Sequence, residues 1–396
     1  MATFLSIGFD KSIDGQKAAQ IVANTVKTQL NPHPINLAVI LSSIHYDPQE
    51  FLPIIAETLA TQEIIGYPCA GMILNHGIET RGLALLAISS DEIRFGISSS
   101  AIIDETDARA AGVSLAKNSF ADLGSFSRGA FLLFINGLIK NNSSLLKGLQ
   151  EIFGNIFPVL GAINHEGFHL KESFQIYRRK IINQQNSLGL MIGGHVNIAL
   201  AARHGWKPLG KPRFISKTEG NIIKLIDNVY AYKIYEEYLG KEIKKLYTNS
   251  LQQPSILYPL GIKIADNQEY LLRNAIDILA DGSILCQGDV PEGAEVHIMI
   301  GNKDFCKKAA LEACHEVKKQ LSGKKPKLIF VIESLTRLKL LGRLAGEEIQ
   351  LIKSVFGNDV PIFGLYSQGE IASFESTDGI KRPHVLNESI VILGIS

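Results

Sequence analysis

Phe356-Gly357-Asn358-Asp359-Val360-Pro361-Ile362-Phe363-Gly364 has a near copy earlier in the chain, Phe153-Gly154-Asn155-Ile156-Phe157-Pro158-Val159-Leu160-Gly161. The two share Phe, Gly, Asn, Pro and the final Gly in register. Each reads as a helix ending at Phe, a glycine in the left-handed cap position, and a short apolar strand running into a glycine where the backbone turns sharply. The copies therefore mark two equivalent strand ends. Polar residues gather behind each: Tyr366, Ser367, Gln368, Gly369 and Glu370 after Gly364, and Asn164, His165, Glu166 and Gly167 after Gly161. Such a gathering at a strand end is how a binding site looks in sequence, without naming its ligand.

Working outward, one pattern occurs three times: amphipathic helix, apolar strand, second helix, strand, glycine turn, further strands. The first copy has Ala18, Val22, Val26 and Leu30 on a helix, the strand Ile35 to Leu41, helix positions Leu52, Ile55, Ala56 and Leu59, and a turn opened by Ile64-Ile65-Gly66 and closed by Gly71. The second has Val113, Ala116, Phe120 and Leu123, the strand Ala130 to Ile135, Leu145, Leu149, Ile152 and Phe153, then the strand to Gly161. Ala310, Ala313, Val317 and Leu321, the strand Leu328 to Ile332, Ile349, Ile352 and Phe356, and the strand to Gly364 make the third. Hairpin-like strands lie between: Leu83 to Ile88 with Ile93 to Ile97, Phe174 to Ile182 with Leu188 to Ile192, and Ala275 to Leu279 with Ser283 to Leu285 around an Asp281-Gly282 turn. The expected class is α/β with α+β mixing: repeated helix-strand-helix-strand units whose mixed sheets are each covered by helices on one face. Lys241 to Pro254 is poor in apolar residues and is the candidate linker, dividing the chain into modules 1–240 and 255–396.

With 396 residues, 46% hydrophobic and 20% charged, the chain can bury ~75% of its unfolded surface. Lys plus Arg number 40 against 39 for Asp plus Glu, so no global field recommends nucleic acid or an anionic membrane. Met1 to Asp10 reads as a strand and not a signal peptide, for no basic region precedes its apolar residues. No apolar run reaches the ~18 residues of a membrane span. Cys69, Cys286, Cys306 and Cys314 have no CxxC spacing, which points to free thiols in the cytoplasm.

Words spread over most of the chain resemble the FIST family, named for F-box and intracellular signal transduction proteins. They are Ile65-Gly66-Tyr67-Pro68-Cys69-Ala70-Gly71, Pro158-Val159-Leu160-Gly161, His204-Gly205-Trp206-Lys207-Pro208, Thr218-Glu219-Gly220-Asn221, Val290-Pro291-Glu292-Gly293 and Phe363-Gly364-Leu365-Tyr366-Ser367-Gln368-Gly369-Glu370-Ile371. The resemblance covers N-terminal and C-terminal FIST modules. It implies an intracellular sensory module that binds small molecules such as amino acids and signals through output domains. Where family members often carry Cys-x-x-Arg, this chain has Ser334-Leu335-Thr336-Arg337, and Gly161-Ala162-Ile163-Asn164-His165-Glu166 departs from a more glycine-rich and acidic word. No output domain is fused here, so signalling would need a separate protein.

His165-Glu166-Gly167-Phe168-His169 matches the zinc word HExxH, but Gly167 interrupts the helix that would make the imidazoles converge, so no metal is expected. Gly66 with Gly71, and Gly364 with Gly369, have the outer spacing of a phosphate loop without its Lys and Ser or Thr. Such turns can present N–H groups to a carboxylate, or serve only tight packing. Cys69 lacks a sequence-near base, Cys306 and Cys314 share a helix face as packing residues, and of Trp206 and Tyr366 only the latter is a candidate ligand contact. Arg337 and Glu370 each follow a strand of one unit; an Arg fork and a carboxylate together suit a zwitterion, unless they simply pair with each other.

The leading expectation is a cytoplasmic sensor of a small anionic or zwitterionic molecule such as an amino acid, with no chemistry and no cofactor of its own. The expected ligand contacts are Arg337, Tyr366, Ser367, Gly369, Glu370, Gly66, Cys69, Gly71 and Asn164. A hydrolase or transferase built on Cys69 or on Asn164 and His165, and a protein-interaction scaffold, are the alternatives.

Overall fold

Along the strand Leu37–Ser42, Leu37, Val39 and Leu41 enter one hydrophobic cluster while Ala38 and Ile40 enter another. Ala130, Leu132 and Phe134 alternate in the same way with Phe131, Leu133 and Ile135, and Leu328, Phe330 and Ile332 with Ile329 and Val331. A strand covered on both faces needs apolar side chains at every position, which is why these runs are unbroken. In the computed structural model, which describes residues 2–101, 107–136, 142–164, 174–183, 186–240, 258–264, 269–375 and 380–396, three such sheets turn one face to a shared core and the other to their own helices.

The three units share one order of elements. The first is β1 (Thr3–Asp10), α1 (Gly15–Leu30), β2 (Leu37–Ser42), α2 (Pro48–Leu59), β3 (Ile64–Pro68), β4 (Gly71–Leu74), β5 (Gly77–Glu79) and β6 (Leu83–Ser90). The second is β7 (Ile93–Ala101), α3 (Ala108–Leu123), β8 (Arg128–Asn136), α4 (Asn142–Phe153), β9 (Val159–Asn164), β10 (Phe174–Tyr177), β11 (Lys180–Asn183) and β12 (Asn186–Gly194). The third opens with β13 (Ile198–Arg203) and is interrupted by an insertion: β14 (Lys207–Glu219), β15 (Ile222–Ile226), β16 (Val229–Tyr230), α5 (Lys233–Leu239), β17 (Leu260–Lys263), β18 (Leu271–Arg273), β19 (Ala275–Ile278), β20 (Ile284–Cys286) and β21 (Glu295–Ile300). It resumes with α6 (Lys303–Gln320), β22 (Leu328–Ser334), α7 (Leu335–Leu341), α8 (Gly346–Phe356), β23 (Ile362–Ser367), β24 (Gly369–Glu375), β25 (Lys381–Leu386) and β26 (Ile390–Ile395). The insertion forms its own sheet.

Each unit then lends its hairpin to another. The sheet orders are β1-β6-β2-β3-β10-β11, β7-β12-β8-β9-β24-β25 and β13-β26-β22-β23-β4-β5. The hairpin of the second unit completes the first sheet, that of the third the second, and that of the first the third. The parallel pairs β2/β3, β8/β9 and β22/β23 are the central feature of each sheet, and the repeated words fall on the same element in both copies. Gly154 and Gly357 have positive φ and close the preceding helices, Gly357 at φ 106 and ψ 151, outside the left-handed helical region expected of it.

Two expectations change. Gly66, Gly161 and Gly364 do not turn the chain; they lie inside β3, β9 and β23, opposite Ile40, Leu133 and Val331 of the parallel neighbour. A Cβ on Gly161 would lie 2.1 Å from the Leu133 carbonyl oxygen, one on Gly364 2.2 Å from that of Val331, and one on Gly66 2.7 Å from Ile176. The borrowed hairpins place Ile176, Ile371 and Ile73 opposite these glycines. Glycine is there because strands pack too closely for a side chain. Secondly, Leu83 to Ile88 and Ile93 to Ile97 do not pair with each other: β6 lies between β1 and β2, and β7 pairs with β12. The strand expected over Phe174 to Ile182 is itself the hairpin β10–β11. The β19–β20 hairpin at Asp281-Gly282 forms as read, with Gly282 at φ 83.

The expected linker, 241–254, and His165-Glu166-Gly167-Phe168-His169 lie outside the described residues. The division into modules 1–240 and 255–396 runs through sheets completed by strands from both sides.

Candidate functional site

In each unit the third residue after the mid-strand glycine closes the parallel pair: Cys69, Asn164 and Ser367. These three expected site residues are thus equivalent positions, and bonds between units lie at or beside them. Tyr67 Oη donates to the Ile135 carbonyl at 2.5 Å and accepts from Asn164 N at 3.0 Å; Asn164 Nδ2 donates to the Pro68 carbonyl. Gln368 N donates to the Ile163 carbonyl, and Gly71 pairs with Tyr366 across β4 and β23. Carboxyl ends of parallel strands are the usual place for a site in α/β folds. Here the space is filled. Burial pushes the Cys69 thiol up to about 12, so it is no nucleophile at neutral pH. Gly66 packs against Ile176 and Gly71 against Tyr366.

Arg337 and Glu370 reach the same strand ends, in the first turn of α7 and on β24, and both are 0% exposed. Neither pairs with the other. Arg337 Nε donates to Glu333 at 3.1 Å, Nη1 to the His204 carbonyl at 2.6 Å, and Nη2 to the Cys306 carbonyl at 3.0 Å and to Glu348. The fork expected to meet a ligand carboxylate is occupied by the protein's own acids. Glu370 accepts from Ser367 Oγ at 3.1 Å and from Ser389 N at 3.0 Å. Tyr366 is buried beside Glu333.

Four carboxyls, from Glu333, Glu348, Glu370 and Glu388, are buried around this one guanidinium. Burial, and then Glu348, raise the pKa of Glu333 well above the carboxylate range; burial does the same to Glu370. Glu388 is pushed up by burial to about 7, against the weaker pull of Asn274, Thr336 and Arg337. It sits at φ 60, a left-handed conformation rare for glutamate, with Asn274, Thr336 and Ser334 beside its carboxyl. A cluster so rich in acid stores protons and offers no seat for an anion. Sequence reading missed Glu388, although Asn387-Glu388-Ser389 stands out as a polar run between two apolar strands.

The open space is elsewhere. A cavity of about 810 Å3 is bounded by α4, the ends of β17 and β18, the word Val290-Pro291-Glu292-Gly293 and β25. Arg273 and His384 line it. Within its wall Arg273 Nη1 donates to the Val385 carbonyl at 3.0 Å; behind the wall the next residue, Asn274, donates N to Asn387 Oδ1 at 3.3 Å and Nδ2 to Gln287 Oε1 at 3.4 Å, and Gln287 Nε2 donates to the Gln368 carbonyl at 2.8 Å. A second cavity, of about 620 Å3, has its charges spent on one another, Glu316 pairing with both Arg203 and Lys381. Among the described residues no group of three His, Cys, Asp or Glu could hold a metal, and no helix is long and apolar enough to cross a membrane.

The FIST N domain profile matches residues 36–229 and the FIST C domain profile residues 231–373. An uncharacterized protein of Methanocaldococcus jannaschii is 24% identical over 189 residues, which are 46% of this chain and 36% of that protein. Among solved structures, cyanuric acid hydrolase from A. caulinodans aligns over 99% of both chains with 6% identity and a TM-score of 0.40, and a second cyanuric acid hydrolase over 100% of both with 6% and 0.38. Likeness at that level leaves the hydrolase activity with those proteins. The two profiles together span residues 36 to 373 with a single residue between them, and the chain belongs to the FIST family.

Proposed function

We propose that the protein is a sensory module that takes a small molecule, of the class of amino acids and related small anions or zwitterions, into the cavity of about 810 Å3. The volume is in the range of small-molecule sites, roughly 300 to 1,000 Å3. The observation that carries the reading is that Arg273, which lines the cavity, is followed at once by Asn274, which bonds Asn387 at the strand ends and, through Gln287, connects to Gln368. A ligand that moves this wall acts on Asn387 and Gln368, the neighbours of Glu388 and of Gly369 and Glu370. In this reading Arg337, Tyr366, Ser367, Gly369 and Glu370 form the responding layer behind the ligand. Four buried free cysteines accord with a cytoplasmic location, and a separate output protein would receive the signal.

The test is a thermal-shift screen of the full chain against amino acids and small metabolites. A ligand at 100 times its dissociation constant stabilises the fold by about 2.7 kcal/mol. No stabilisation by any compound, with calorimetry also silent, would remove this reading. One observation favours a hydrolase or transferase instead: Glu388, with its pKa near 7, is poised for acid–base work. Turnover of a bound compound, abolished by Glu388→Gln, would establish that alternative.

A further inference from the structure

Two arginines are buried in the insertion and the third unit, and only one has a counter-ion. Arg337 is bonded to the carboxyl groups of Glu348 and Glu333. Arg273 is 3% exposed, yet no carboxylate of the described residues lies within ion-pair distance of it. Its guanidinium is held by carbonyls: Nε donates to Asp289 at 2.9 Å, and Nη1 to Leu272 at 2.8 Å and Val385 at 3.0 Å. Nη2 makes no hydrogen bond with a described residue. An uncompensated buried cation is costly, and chains normally pair one. Three carbonyls fix the plane of the group, and its free edge belongs to a residue that lines the cavity.

Resting on the cavity reading above, we propose that Arg273 is the anchor for the single carboxylate of a ligand with an apolar body. The planar fork suits a carboxylate, and fixed orientation reduces the entropy lost on binding. Lys147, Lys263 and Arg382 share the cavity and favour a negative guest. Of the acids there, Glu295 is engaged with His297 at 2.9 Å and Glu292 accepts from Thr218 N at 3.0 Å. Asp289 acts on Arg273 through space without pairing with it. Asp289 beside the one open guanidinium edge, with Glu292 and Glu295 elsewhere on the lining, disfavours a dianion such as a phosphate. Leu146, Leu271, Val290 and Val385 supply an apolar wall for the rest of the molecule. His384, kept neutral by burial and by the neighbouring Arg273 and Arg382, adds no charge to the lining.

Isothermal titration calorimetry of the full chain with leucine, 4-methylpentanoate, the neutral 4-methylpentanamide and isopentyl phosphate tests the assignment. The expected result is saturable binding of one or both carboxylates, with the amide and the phosphate each weaker by about tenfold or more, as for loss of a charge-assisted hydrogen bond. Arg273→Gln should remove most of the acid's advantage over the amide. Lys147→Glu, at an exposed lining position that cannot disturb the core, should weaken the acids and leave the amide unchanged, and it serves if Arg273→Gln fails to fold. Acid and amide binding alike, or an acid preference that survives Arg273→Gln undiminished, would overturn the carboxylate anchor while leaving the cavity as a small-molecule site. Tighter binding of the phosphate would overturn it too. Silence from every compound, here and in the wider metabolite screen, would remove the cavity reading itself.

Discussion

At the scale of single residues, the contrast between Arg337 and Arg273 governs which substitutions report on folding and which on binding. Arg337→Met leaves Glu348 buried without its cation, so a loss of about 3 to 5 kcal/mol in urea unfolding is expected. A loss below about 1 kcal/mol would show that Glu333 and Glu348 accommodate each other without the guanidinium. The strand-end residues were readable as a group: Arg337, Tyr366, Ser367, Gly369 and Glu370 do come together. What sequence could not show was their burial, because an arginine in the first turn after an apolar strand looks the same whether it faces a ligand or an acid. The acid itself left a trace. Glu348 stands four residues before Ile352 on the apolar stripe of α8, where a charge is out of place unless it has a partner. Arg273 left a similar trace as the charge ending Leu271-Leu272-Arg273, and His384 left none.

At the scale of elements, the mid-strand glycines decide how closely the strands and borrowed hairpins can approach. Gly161→Ala and Gly364→Ala should each destabilise by about 1 to 3 kcal/mol, the usual range for overpacking, because the added carbon meets a carbonyl oxygen that cannot move without breaking the parallel pair. Gly346→Ala, in the first turn of α8 with nothing within 4 Å of the added carbon, should be neutral or stabilise by up to about 1 kcal/mol. Equal unfolding midpoints for all three variants would refute the close-packing account. The helices and the unbroken central strands were readable, since amphipathic spacing and doubly covered strands are local patterns. The exchange of hairpins was not, because β4 finds its partner β23 almost the whole chain away, and nothing local encodes that pairing. The turn between β10 and β11 was missed for a different reason: Arg178 takes φ 58, a conformation usually marked by Gly or Asn.

For the whole molecule, the buried carboxyls tie stability to pH. Burial raises Glu388 to about 7, well above the ordinary carboxylate value, and raises Glu333 and Glu370 in the same direction. Between those values the native state binds more protons than the unfolded chain, so this contribution is complete at low pH and is lost as pH rises through the folded pKa. His384 works in the opposite sense: its pKa is lowered to about 4, and its contribution is lost as pH falls below 6.5. Three acids outweigh one histidine, and the net expectation is falling stability from about pH 5 towards 8. Glu388 faces Arg337, Lys339 and Glu370; its charge adds to the rise of Glu370, so the amide lowers the Glu370 pKa and the two effects on the pH dependence act in the same sense. Glu388→Gln should therefore flatten the pH dependence by up to about 1.4 kcal/mol per pH unit between pH 5 and 7, as read from urea unfolding at each pH. It should also gain on the wild type as pH increases, whatever its offset at pH 5. Parallel curves for the two proteins would mean that Glu388 is ionised in the fold at neutral pH, and the strand-end cluster would then hold a permanent charge where the structure points to a proton.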